Sequence, residues 1–173
     1  MTLVDGGRLV VAAALTGVLA WASFTDIRER KIRNTAVLAV LALYLPWALM
    51  TGSVHEVLLA LGAGVLALVL GFAIFSAGWM GAGDAKLFAA TALFAGWQNL
   101  FAFIILITLA GGLIALLSLV SRPKEALALM ANGGKGDAGR GIPYGVAIAV
   151  GSAILLWSGQ LHMTSFVAAN ATH

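Results

Sequence analysis

The chain has 173 residues, of which 61% are hydrophobic and 10% charged, and its mean hydropathy is +1.01. That balance excludes an ordinary soluble domain and reads as a multi-spanning membrane protein, a single domain over residues 1–173. Absence of cysteine excludes disulfides, thiol catalysis and Cys-based zinc sites. The net charge of +3 does not point to nucleic acid, because the basic residues cluster in short loops beside apolar segments.

In chain order, apolar runs at 9–25, 35–50, 54–75, 85–95, 99–120 and 142–157 predict an all-α, multi-pass bundle of about six transmembrane helices. Pro46 falls late in the second run, where a membrane helix tolerates it. The first run resembles a signal peptide, with Ala20-Trp21-Ala22 as a cleavage pattern, but removing it would undo the charge asymmetry described next; retention is the expectation. A single helix over 85–120 would be about 54 Å long, too long for a hydrocarbon core of about 30 Å. Gly96-Trp97-Gln98-Asn99 supplies the break.

With six spans, the loops after the first, third and fifth share one side. They carry Arg28, Arg30, Lys31, Arg33, Lys86, Arg122, Lys124, Lys135 and Arg140, whereas Arg8 stands alone on the other. The positive-inside rule makes the first side cytoplasmic, with both termini outside. Segment 121–141 becomes a cytoplasmic loop, with an interfacial helix expected over 123–130. Its glycine-rich stretch 132–137 lacks the Gly-Lys-Ser/Thr ending of a phosphate loop. Small residues four apart (Ala13 and Gly17, Ala60 and Gly64, Ala67 and Gly71, Gly145 and Ala149, Ala147 and Gly151) suit close helix packing.

Asp26 ends the first span and Asp84 precedes the fourth, so both lie at the same cytoplasmic edge. An acid bordering hydrocarbon costs several kcal/mol unless paired or wet, which makes each a functional-site candidate. Two carboxylates sharing a proton can hydrolyse a peptide without metal or nucleophile. One accepts a proton from water, and the other donates to the carbonyl oxygen and then to the leaving amine. Helix dipoles suggest a division of roles: Asp84 at a helix start is the expected base, and Asp26 at a helix end the expected acid. Gly81 and Gly83 beside Asp84 would let another backbone, such as an extended substrate, come close.

These residues resemble the type IV prepilin peptidase family. Thr25-Asp26-Ile27-Arg28-Glu29-Arg30-Lys31-Ile32-Arg33-Asn34 is similar to its Asp-x-Arg-x-x-x-Ile-Pro-Asn element, with Arg33 in place of proline. Gly81-Ala82-Gly83-Asp84-Ala85-Lys86-Leu87 matches its second, GxGD element, and Ile142-Pro143-Tyr144-Gly145 resembles a late motif of the small forms. The resemblance is closest to the small peptidases of tight-adherence (Flp) pili. It implies an aspartic endopeptidase of the bacterial inner membrane with Asp26 and Asp84 as catalytic pair. Its partners would be prepilins, whose basic leader it removes, and the lipid bilayer. Gly81, Gly83 and Lys86 would form a substrate-binding loop, with no cofactor, no metal and no nucleic acid. Lacking the paired-cysteine domain of larger members, the chain is not expected to N-methylate its product.

For the other polar residues the plain readings are stronger. Glu29 is the best substitute acid, though a solvated loop charge is the simpler view. Lys86 also satisfies the positive-inside rule by itself. Tyr144 suits either the mouth of a site or interface anchoring. His55, His162 and His173 share no metal-binding spacing. A presenilin-like protease shares Gly-x-Gly-Asp, but its Tyr-Asp and Pro-Ala-Leu motifs are missing. A proton-coupled carrier using the aspartates as a relay is the alternative from another class, although relay acids belong nearer mid-membrane.

Overall fold

A computed structural model describes residues 3–51, 53–121 and 144–170. Among these it is all-helical: α1 (Leu3–Glu29), α2 (Asn34–Thr51), α3 (Val54–Ser76), α4 (Ala82–Ser121) and α5 (Tyr144–Asn170). The expected loop at 121–141, with its interfacial helix and Arg122, Lys124, Lys135 and Arg140, lies almost wholly outside the described residues. Among the described residues, three helices are long and apolar enough to cross a membrane: α1, α3 and α4. The apolar parts of α2 and α5 are shorter. The helix starts correct two expected bounds, since α1 runs on past Asp26 and α4 begins at Ala82 instead of 85.

α4 is one element of 40 residues only in name, because Gly96 inside it has φ 67° and ψ 179°. No helix continues through that conformation, and only glycine adopts it without strain. Phe88 and Phe103, on either side, stack with ring centroids 5.6 Å apart. In a continuous helix their Cα atoms would be separated by about 22 Å. The chain therefore doubles back at Gly96, giving two antiparallel limbs, 82–95 and 97–121.

Antiparallel neighbours recur throughout. Arg8 Nη2 donates to the Met50 carbonyl at 3.1 Å, pairing the start of α1 with the end of α2. Trp157 Nε1 donates to Thr16 Oγ1 at 3.2 Å, and Asp26 meets Gly145, so α5 runs opposite to α1. α3 lays Ala60, Ala63, Gly64, Ala67 and Gly71 against the first limb of α4. A Cβ on Gly71 would lie 3.2 Å from the Cα of Ala85, and one on Gly151 of α5 2.9 Å from the backbone nitrogen of Ile107. Between apolar helices in lipid, such close approach supplies the attraction that hydrophobicity cannot. Gly17, by contrast, has nothing within 4 Å of an added Cβ among the described residues, and Ala13 is exposed, so that small pair forms no packing seam with them.

The core is filled by Leu15, Leu19, Val40, Leu87, Phe103 and Ile148, all almost fully buried. Leu58, Val65, Val69, Phe72, Phe101, Leu109 and Leu113 stay exposed, an apolar outer surface suited to lipid. The charges sort by end. Among the described residues, Arg28, Arg30, Lys31, Arg33 and Lys86 sit at the end holding Asp26 and Asp84, while Arg8 is at the other.

Candidate active site

Asp26 lies in the last turn of α1 and is 6% exposed. Its Oδ2 accepts the backbone N–H of Gly145, in the first turn of α5, at 3.0 Å. The two helices come this close because Gly145 has no side chain: a Cβ there would sit 2.8 Å from Asp26 Oδ2 and 2.9 Å from Ile32 Cδ1. α1 stops just beyond, where Arg30 takes φ 53° and its N–H donates to the Asp26 carbonyl at 2.9 Å. That turn brings Ile32 back beneath the helix end. The Arg30 charge also acts on the Asp26 carboxylate.

Asp84 is the third residue of α4. Its Oδ2 reaches back to accept the Gly81 N–H at 3.2 Å, while the Ala85 N–H bonds the Gly81 carbonyl at 3.1 Å, a local cap on the helix start. Asp84 Oδ1 is buried and, among the described residues, has no hydrogen-bond partner. An unpaired buried oxygen is costly and calls for an explanation, of which a catalytic role is one. Gly83 is also under close approach: an added Cβ would lie 3.0 Å from both the Cβ and the carbonyl oxygen of Ile32. The backbone that approaches this loop is thus the chain's own.

The two carboxylates are near enough for the Asp26 charge to act on Asp84. Ile32 touches both the Gly145 and the Gly83 positions, so the loop after α1 packs against the starts of α5 and α4 together. Half-buried Tyr144 feels the charge of Asp84. Asp26, Gly81, Gly83 and Asp84 are therefore gathered at one end of the bundle. Lys86 is exposed on its rim, where its Nζ donates to Asn34 Oδ1 at 3.3 Å and links the start of α2 to the start of α4. Glu29 points elsewhere, into an exposed ion pair with Arg33 at 3.0 Å.

Two features were not legible in the sequence. Gly145 and Ile32 join the site, although the Ile-Pro-Tyr-Gly run and the Ile before Asn34 offered a faint signal. The dipole argument for dividing roles gains a second contribution: Asp26 still lies in the last turn of α1, but the start of α5 also faces it. Among the described residues no group of three or more His, Cys, Asp or Glu residues is arranged to hold a metal ion. A cavity of about 220 Å³, lined by Arg8, Trp47, Thr91, Asn99, Phe103 and Ser152, lies at the opposite end. Arg8 is about 27 Å along α1 from Asp26, too far to share its chemistry.

An all-helical bundle of membrane-spanning character, with two interacting carboxylates at one basic end, defines the class: a membrane protein built around an acid pair. The chain belongs to the type IV leader peptidase family, whose family model matches residues 13–116, more than half its length and inclusive of both aspartates. No curated protein and no solved structure gives a significant match.

Proposed function

We propose that the chain is a membrane-embedded aspartic endopeptidase that removes the basic leader from type IV prepilins of the Flp class. The observation that carries this reading is the approach of Asp26 and Asp84 at one end of the bundle, with Asp84 Oδ1 buried and unpartnered among the described residues. Two carboxylates this near do not both ionise readily, so the pair holds one proton, and its titrations belong to the pair. The ionised member takes a proton from water as the water oxygen bonds to the scissile carbonyl carbon. The other gives its proton to the carbonyl oxygen. Collapse of the tetrahedral intermediate breaks the C–N bond, and the proton taken from water passes to the leaving amine.

The surplus of arginine and lysine at the site end supports a cytoplasmic active site in a bacterial inner membrane, with six spans and both termini outside. The doubling of α4 at Gly96 supports that count. A prepilin is then met where its basic leader gives way to an apolar helix, with Gly81, Gly83 and Lys86 beside it at the start of α4. No N-methyltransferase activity is assigned. The carrier reading is weaker because both acids occupy one end of the bundle instead of its middle.

The test is co-expression with a Flp-type prepilin, followed by sequencing of the product's amino terminus. Wild-type protein yields a single new terminus after the leader; Asp26→Asn and Asp84→Asn insert normally and yield none. Cleavage by either variant would defeat the mechanism.

A further inference from the structure

Asp26 stands where its own helix can offer it nothing. The last turn of an α-helix presents unsatisfied carbonyls, and free N–H groups occur only at helix starts. A donor for the Asp26 carboxylate must come from elsewhere, and it comes from Gly145, one residue into α5 and 119 positions away in sequence. The need is mutual, since the Gly145 N–H has no partner within α5. One turn before Asp26 on α1, Ser23 Oγ lies 3.4 Å from the Gly145 carbonyl and shares its proton with the Leu19 carbonyl at 2.9 Å. α1 therefore meets both polar backbone groups of a single α5 residue. A side chain at position 145 would fall on Asp26 Oδ2, on Asp26 Cβ at 3.2 Å and on Ile32 Cδ1.

We infer that Gly145 is a positioning residue for the acid pair: its N–H aims the Asp26 carboxylate at Asp84, and its missing side chain leaves that carboxylate room. The assignment rests on the peptidase reading above. It makes the start of α5 the third wall of the site, outside the stretch matched by the family model. Tyr144, beside it and within reach of the Asp84 charge, places the same turn against both acids. The pair is then set by three helices, and a shift of α5 moves Asp26 relative to Asp84.

The experiment uses the full chain in detergent with a synthetic prepilin segment as substrate, comparing wild type, Gly145→Ala, Gly145→Ala with Ile32→Val, and Asp84→Asn. Gly145→Ala is expected to lower kcat about 100-fold, the scale of a misplaced catalytic group, with KM within about threefold. It should also displace one limb of the pH–rate profile, which a purely structural defect would leave in place. Ile32→Val removes Cδ1 and relieves the crowding on that side, so it tests whether packing alone is at fault. Persistence of the defect in the double variant supports the assignment. A Gly145→Ala rate within about threefold of wild type, recovery in the double variant, or loss of rate with an unmoved pH profile would each overturn it. Failure of both Gly145 variants to accumulate, where Asp84→Asn accumulates, would overturn it too, by making Gly145 a structural residue. Wild-type inactivity would instead defeat the peptidase reading itself, whereas an active wild type with an indifferent Gly145→Ala defeats only this inference.

Discussion

The two halves of the site hold the same functional group by opposite means. Asp84 is secured locally: it caps its own helix by bonding Gly81, three positions away, and leaves one oxygen buried and, among the described residues, unpaired. Asp26 is secured at long range, by an N–H from the far end of the chain, and is the more buried of the two. A local cap survives small movements of neighbouring helices; a bond between α1 and α5 does not. The Asp84 half is therefore a fixed reference, and the Asp26 half carries the geometry that tertiary packing must maintain.

The strongest test of that comparison removes each acid in turn. Asp26→Asn and Asp84→Asn keep the side-chain shape but remove the titratable carboxyl group, so each should lower leader cleavage by about 1,000-fold or more in a timed cleavage assay. Unequal losses, with one variant near wild type, would show that the halves do not act as a pair.

Gly83→Ala should come next. Its new Cβ would meet the Ile32 carbonyl at 3.0 Å, and backbone cannot swing aside as a side-chain tip can. Driving the two loops apart should lower kcat about 10-fold and destabilise the protein by about 1–3 kcal/mol in detergent unfolding. Unchanged kinetics would mean that Ile32 does not transmit between the halves.

Lys86 should give the smallest effect. Its bond to Asn34 is exposed, so Lys86→Ala should alter stability by less than about 1 kcal/mol. Contact with substrate predicts a KM raised about threefold for Lys86→Ala, with kcat unchanged and little response to Asn34→Ala. Equal responses from both variants would reduce Lys86 to a tether between two helix starts.

The sequence made the local half of this site readable and left the distant half dark. Asp84 announced itself through Gly-x-Gly-Asp at the edge of an apolar run, because capping is a near-neighbour interaction. Gly96 was equally legible: a continuous helix would have been too long, and the observed reversal falls inside the expected break. The partner of Asp26 was not readable, since nothing in residues near position 26 names a backbone N–H on α5. The glycines in α3 were read as packing and do pack, while Gly145 was grouped with them although its missing side chain makes room for a carboxylate. Ala13 and Gly17 show the converse, in which spacing alone suggested a contact that no described residue makes. Spacing reports which residues share a helix face; it does not report what that face meets.

Because the chain has no cysteine, residues 26 and 84 can be replaced by Cys as the sole thiols in the molecule. Their joining, under mild oxidation or with a short bifunctional thiol reagent in native membranes, reports the separation on which everything turns. Rapid loss of both free thiols to one intramolecular bridge is the expected outcome, with no bridge when either Cys is moved to the Arg8 end. Two thiols that remain fully labelled and never bridge would contradict a shared reaction centre.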